Sequence, residues 1–186
     1  MVRGRTLLDH ARSRFAEHQA VRDVVIVLPA QFLDEVPGAV AGGATRQESV
    51  RAGMAALAPD VDVVLVHDVA RPFVPSELIS RVIAAVVAGA DAVVPVLPVA
   101  DTVKRVDPAA NVVETLDRSQ LRIVQTPQGF GRSTLDIAHR VGPLGATDDA
   151  ALVEAMGGRV IAVDGAEEAF KITRPWDLVV AEAMGR

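Results

Sequence analysis

Apolar residues recur along this chain in two rhythms. Short runs of β-branched and aliphatic residues, which read as buried strands, alternate with stretches whose apolar positions return every three or four residues, which read as helices. Thr6 is placed to cap a helix that turns Leu7, Leu8, Ala11 and Phe15 inward. Val24 to Leu28 reads as a buried strand, and Arg46 to Leu57 as a helix with Val50, Met54 and Leu57 on one face. Val61 to His67 is a second strand, Pro75 to Ala88 a helix with proline in its first turn, and Asp91 to Val96 a third strand. Thr102 to Val106 and Val112 to Leu116 are short extended runs with polar residues at alternate positions. The segment Asp107-Pro108-Ala109-Ala110-Asn111 between them supplies turn chemistry, so the pair predicts a β-hairpin. Arg122 to Gln125 resumes the main sheet, helices follow at Ser133 to Val141 and Asp148 to Met156, and strands at Arg159 to Val163 and Phe170 to Thr173. Pro175 to Met184 closes the chain as a helix.

This alternation predicts an α/β domain with a mostly parallel sheet, one domain over residues 1–186, from which an arm at about residues 99–118 projects. Doubly wound nucleotide-binding folds usually open with a strand and a phosphate-binding turn. This sequence opens with a helix.

Composition narrows the classes of function. Of the 186 residues, 50 % are hydrophobic, enough for a substantial core and too many for a disordered chain. No apolar run reaches the roughly 18 residues of a membrane span, and no apolar signal core follows Met1-Val2-Arg3-Gly4-Arg5, so a cytoplasmic location is the expectation. The absence of cysteine removes disulfides and thiolate metal sites. A net charge of −5 and only 3 % aromatic residues argue against a nucleic-acid partner. Only Lys104 and Lys171 among the 19 basic residues are lysines, which draws attention to both as compact point charges.

Ligands of such sheets sit at the carboxyl ends of strands. The strand Val61 to His67 runs into Asp68-Val69-Ala70-Arg71-Pro72, where the Asp68 carboxylate could hold Mg²⁺ or its waters near a triphosphate, or could simply pair with Arg71 and shape the turn. Gly42-Gly43-Ala44-Thr45 leads into a helix, a place for close backbone approach to an anion or a plain capped turn. Asp101-Thr102-Val103-Lys104-Arg105 on the hairpin, with Arg118 after it, suits either a subunit contact or a solvated edge. Thr147-Asp148-Asp149 reads as a helix cap. Lys171, bracketed by Phe170 and Ile172, points away from their apolar face. His10, His18 and His139 read as ordinary surface residues, and His67 as a supporting residue near the site. No Ser/His/Asp or zinc-ligand spacing is present.

Taken in order, His67-Asp68-Val69-Ala70-Arg71-Pro72, Asp101-Thr102-Val103-Lys104-Arg105, Asp117-Arg118, Gln125-Thr126-Pro127-Gln128, Thr147-Asp148-Asp149 and Phe170-Lys171-Ile172-Thr173-Arg174-Pro175 resemble the 2-C-methyl-D-erythritol 4-phosphate cytidylyltransferases of the non-mevalonate isoprenoid pathway. Each motif alone is weak, and the ordered set, running from about Thr6 to the C-terminus, is specific. The resemblance implies a Rossmann-like nucleotidyltransferase domain that moves CMP from CTP to the polyol phosphate with Mg²⁺ or another divalent ion. By the same resemblance Arg118 and Lys171 position the polyol phosphate, Asp68 and Arg71 line the substrate and metal region, and Thr102 and Thr126 are further substrate contacts. Gly43, Ser49 and Val69 match the nucleotide-binding part, with Ala44 where the family often has an aspartate. The hairpin matches an arm that clasps a second subunit, implying a homodimer with Thr102 and Arg118 acting across it. Ribitol-phosphate cytidylyltransferase, and a non-catalytic dimerising paralogue, are the alternative readings.

The family also places a strand, a glycine-rich loop with an arginine, and a Pro-Lys pair ahead of the region that Val2-Arg3-Gly4-Arg5-Thr6 matches, and no residue here aligns with that arginine or lysine. The expectation is a chain that keeps the residues for alignment, is impaired in neutralising the triphosphate, and leaves neighbouring strands short of ladder partners; it is read as a piece of a longer chain more readily than as a degenerate paralogue.

Overall fold

The computed structural model describes residues 1–143 and 145–184. Its helices begin where the sequence offers caps. Helix α1 (Leu7–Ala16) and helix α2 (Arg46–Ala56) each start with a reciprocal capping box, Thr6 with Asp9 and Thr45 with Glu48, which satisfies backbone donors that a helix start leaves free. Helix α3 (Ser76–Val87) turns Leu78, Ile79, Val82 and Val86 inward. Helix α4 (Arg132–Val141) and helix α5 (Asp149–Ala155) follow, the latter capped by the Asp148 carboxylate accepting from the Ala151 N–H, and helix α6 (Pro175–Ala183) ends the chain with proline in its first turn.

The strands are β1 (Val27–Leu28), β2 (Val40–Ala41), β3 (Val63–Val66), β4 (Ala92–Pro98), β5 (Lys104–Val106), β6 (Val112–Thr115), β7 (Arg122–Val124), β8 (Gln128–Gly131) and β9 (Val160–Asp164). The main sheet is not mostly parallel as the pattern suggested: β3 with β8, β4 with β8 and β4 with β7 are antiparallel, and only β4 with β9 is parallel. The source of the difference is β8, which slots between β3 and β4 and runs against both. Its sequence, Gln128-Gly129-Phe130-Gly131, has no β-branched residue and two glycines, so it carries no strand signature. Conversely, Phe170 to Thr173 forms no strand; it is an extended segment tied down at one point.

Side chains alternate across the sheet as the pleat requires. Val63, Leu65 and Val93 face a core with Phe15, Leu78, Ile79 and Val82 from α1 and α3. Val64, Ala92 and Phe130 face a second core with Met54 of α2, Leu135 and Ala138 of α4, and Leu152 and Val153 of α5. The result is three layers. Gly129 explains how α3 lies so close to β8: a Cβ there would stand 2.5 Å from Val82 Cγ1 and 3.0 Å from Val86 Cγ2.

Strand β1 pairs only with β2, in parallel, and β3 pairs only with β8 among the described residues. Between them lies a cleft of about 610 Å³, walled by Val24–Val27 on one side and Val61–Val69 on the other, with α1 and α2 side chains closing it. The hairpin β5–β6 pairs with no other strand of the described residues. No described helix is long and apolar enough to cross a membrane.

Replacing Gly129 by Ala forces a methyl group into the α3 contact and is expected to cost about 1–3 kcal/mol of stability. Chemical unfolding of the variant tests this. An unchanged midpoint would mean that α3 does not rest on β8 as described.

Candidate active site

Strand β3 delivers His67 and Asp68 to the carboxyl end of the sheet, and a turn closed by Arg71 N–H donating to Asp68 C=O at 2.9 Å follows. The polar atoms here constrain one another. The His67 Nε2 lies 3.0 Å from the Arg71 carbonyl oxygen, which can only accept, so Nε2 carries the hydrogen. The other ring nitrogen, Nδ1, then accepts, and takes the hydroxyl hydrogen of Thr126 at 3.0 Å. Thr126 Oγ1 in turn accepts the Asp68 N–H at 3.0 Å. Thr126, expected as a substrate contact, is buried and spends its hydroxyl on fixing the turn. The His67 ring packs on Phe15 with centroids 4.7 Å apart, and burial pushes its pKa down to about 4, so it is neutral at physiological pH.

Lys171 reaches this turn because Ile172 N–H donates to the Ala70 carbonyl at 2.8 Å. Phe170 and Ile172 pack with Val2, Phe73 and Ala181, leaving Lys171 on the opposite side, where Nζ stands 2.9 Å from Asp68 Oδ2. Burial pushes the Asp68 carboxyl upward, but the hydrogen bond and charge of Lys171, with the charges of Arg46 and Arg71, outweigh it and hold the group below the usual carboxylate range. Asp68 therefore pairs with Lys171, not with Arg71. The Arg71 side chain is buried and donates to the Ala169 and Val124 carbonyls at 2.8 and 3.1 Å, so it struts the turn against two neighbouring segments.

Around the cleft, Val69 is exposed and lines the wall beside Asp68. Ser49 also lines it, though its hydroxyl donates to the Thr45 carbonyl at 3.0 Å and accepts the Gly43 N–H at 3.2 Å. Those contacts shape the glycine turn, and a Cβ on Gly43 would meet Glu48 Cβ at 2.2 Å. The structure thus gathers Asp68, Arg71, Thr126 and Lys171 into one contact group, with Gly43, Ser49 and Val69 around the neighbouring cleft. Thr102 and Arg118 stay apart: both are exposed at the base of the hairpin, Arg118 donates to the Ala100 carbonyl, and neither is bonded to the Asp68 group among the described residues. Two residues read as surface groups are not: His18 is buried with Nε2 2.9 Å from Ser80 Oγ, and His139 is buried with Nε2 2.8 Å from Asp149 Oδ1. His67 and Arg46 have larger parts than the sequence indicated. The signal for His67 was its place at a strand end; Arg46, one of many arginines, offered none.

No group of three or more His, Asp or Glu side chains gathers to hold a metal ion among the described residues. Asp68 is a single carboxylate beside cationic groups. That donor set fits a magnesium ion held chiefly by substrate phosphates and water, the usual habit of this cation.

A layered α/β sheet that presents a carboxylate, a lysine and an arginine at the end of one strand suits a phosphorylated ligand, and the comparisons with known proteins give the class, a nucleotidyltransferase. The family described as 2-C-methyl-D-erythritol 4-phosphate cytidylyltransferase matches residues 1–186. The proteins of that name from Streptomyces avermitilis and Streptomyces coelicolor are each 49 % identical, over 98 % and 97 % of this chain and 81 % and 74 % of their own length. The crystal structure of the enzyme of that name from Thermus thermophilus superposes with a TM-score of 0.87 at 44 % identity, covering 99 % of this chain and 90 % of that one. The chain belongs to the 2-C-methyl-D-erythritol 4-phosphate cytidylyltransferase family, whose reaction moves CMP from CTP to that polyol phosphate.

The neutral imidazole makes a prediction about pH. The folded pKa of about 4 lies below the ordinary 6.5, so the unfolded chain takes up a proton first. The stability this contributes is complete above pH 6.5 and is lost as pH falls toward 4, by at most about 1.4 kcal/mol per pH unit. In His67→Phe, which keeps a ring against Phe15, that part of the slope should vanish. Urea unfolding of both proteins at pH 7 and pH 5 measures it, and identical slopes would contradict a buried neutral His67.

Proposed function

We propose that CTP lies at the carboxyl-end mouth of the cleft between β1 and β3, beside Arg46, Ser49 and Val69 and with its phosphates toward Asp68, and that 2-C-methyl-D-erythritol 4-phosphate is held against it by Lys171 and by Arg118. The observation that carries this reading is the 2.9 Å pair of Lys171 and Asp68 at the end of β3. A phosphate oxygen of the polyol attacks the α-phosphorus of CTP. The bond from that phosphorus to the bridging oxygen of the β-phosphate breaks, and pyrophosphate leaves with the electron pair. The attacking oxygen is already ionised at neutral pH, so no general base is required and His67 is not asked to be one. Rate comes from aligning the two phosphates and from neutralising their charge. Lys171 supplies a point charge aimed by Asp68. Magnesium, when bound with the nucleotide, would neutralise triphosphate charge, and Asp68 is the carboxylate that would hold it or its waters.

Pyrophosphate release with CTP, Mg²⁺ and either methylerythritol 4-phosphate or ribitol 5-phosphate tests the proposal. It is run on this chain and on a version extended upstream in its own gene. The extended version should turn over at least ~10²-fold faster, with methylerythritol 4-phosphate preferred, and Lys171→Met in it should lose ~10²–10³ in rate. If both versions fold and neither turns over, the catalytic reading fails and the non-catalytic paralogue replaces it.

We further propose a homodimer clasped by the hairpin, which brings Thr102 and Arg118 to the site of a second copy. Val106, Val112 and Val113 are exposed on this two-stranded arm, apolar area that a partner would cover. CTP is a cytoplasmic metabolite, and the reaction is read as cytoplasmic. Val112→Asp with Val113→Asp should yield a folded monomer in analytical ultracentrifugation. A variant that remains dimeric would exclude the arm as the contact.

A further inference from the structure

The most deeply buried carboxylate among the described residues takes no part in the chemistry above. Asp149 stands in the first turn of α5 with no exposed surface. A charge in such a place needs an opposite charge or hydrogen bonds, because water no longer solvates it. Two side chains from two other helices meet it. His139 of α4 places Nε2 2.8 Å from Asp149 Oδ1; a carboxylate only accepts, so Nε2 carries the hydrogen. The other ring nitrogen is buried and has no partner among the described residues, which leaves the imidazole a single polar contact there. Arg46, the first residue of α2, brings Nη1 to 2.6 Å from Oδ2. This second contact is an ion pair without hydrogen-bond alignment, since Oδ2 has no aligned donor.

Arg46 differs from its partners in one respect: its side chain is 36 % exposed, and it lines the cleft together with Ser49 and Asp68. It makes no hydrogen bond among the described residues, so its remaining guanidinium donors are free. The base it stands on is firm. The neighbouring Gln47 donates to the Pro143 carbonyl at 3.0 Å and accepts the Gly145 N–H at 3.1 Å, which ties the start of α2 to the α4–α5 connection. Gln128 of β8 donates to Asp148 at 2.8 Å and accepts from the Ala150 N–H at 3.3 Å, which ties the start of α5 to the sheet.

We propose that His139 and Asp149 are positioning residues that aim the Arg46 guanidinium into the cleft to bind the phosphate chain of the nucleoside triphosphate. The proposal rests on the reading of the cleft as the nucleotide site. A guanidinium presents paired donors that match phosphate oxygens, but only when its plane is held, and a long flexible side chain at a helix start is otherwise free to rotate. The buried carboxylate fixes where Nη1 stands and leaves the other donors to the ligand, whose oxygens complete the orientation of the plane.

The experiment is a calorimetric titration of the unaltered chain and of Asp149→Asn, His139→Leu and His139→Gln with CTP and Mg²⁺, alongside thermal unfolding. Asp149→Asn keeps the shape and removes the charge that orients Arg46. CTP binding should weaken about tenfold, which is about 1.4 kcal/mol. The sign discriminates. If Asp149 acted only through its field, deleting a negative charge beside the cleft would tighten an anionic ligand. His139→Leu should weaken CTP binding, and His139→Gln, whose amide N–H can donate to Asp149, should recover most of it. Should Asp149→Asn not fold, this Leu and Gln pair decides the matter. CTP affinity unchanged or tightened in Asp149→Asn, or equal for Leu and Gln, overturns the positioning role alone. No binding of CTP by the unaltered chain overturns the nucleotide reading of the cleft and this inference with it.

Discussion

The site depends on where one hydroxyl hydrogen goes. Thr126 follows directly on the end of the sheet, between β7 and β8, and its oxygen accepts the Asp68 N–H while its hydrogen goes to His67. Because His67 must give its own hydrogen to the Arg71 carbonyl, the chain of donors and acceptors has only one direction. The turn after β3 therefore has a defined shape before any ligand arrives, and the Asp68 carboxylate leaves it at a defined angle. Preorganisation of this kind matters in phosphoryl chemistry, where the protein contributes geometry and charge and little bond-making of its own.

The same economy governs the rest of the ligand-facing surface. Arg71 is consumed by two carbonyls, Ser49 by its own turn, and Asp68 by Lys171. What remains open at the Asp68 end of the cleft includes the Arg46 guanidinium and Val69, while the wall strands below are apolar. Groups that look like ligand contacts in a motif are here largely the frame that holds a smaller number of contacts in place.

Much of this was legible in the sequence, and the reasons for the rest are specific. The helix starts were readable because Thr6 with Asp9 and Thr45 with Glu48 are local signals that need no tertiary context. Asp68 was readable because a run of β-branched residues ended on a carboxylate, and Lys171 because lysine is scarce here. Strand β8 was not readable, since its glycines are chosen by the helix that lies on them and not by strand propensity. That omission also concealed the antiparallel character of the sheet. Asp149 looked like part of a cap because a carboxylate at a helix start usually is one; its burial between His139 and Arg46 is a tertiary fact with no local trace. The separation of Thr102 and Arg118 from Asp68 likewise depends on how the hairpin leaves the domain.

The open flank of β3 has a consequence for how the protein behaves at high concentration. Val63-Val64-Leu65-Val66 presents a row of backbone donors and acceptors with no charge, proline or bulge to discourage a foreign strand. Natural sheets protect such rows, and an unguarded one acts as a template for cross-molecular ladder growth. Self-association by this route is cumulative, whereas a clasp between two arms closes on itself. A ladder grown on the β3 flank therefore has no built-in end, which sets it apart from any closed pair.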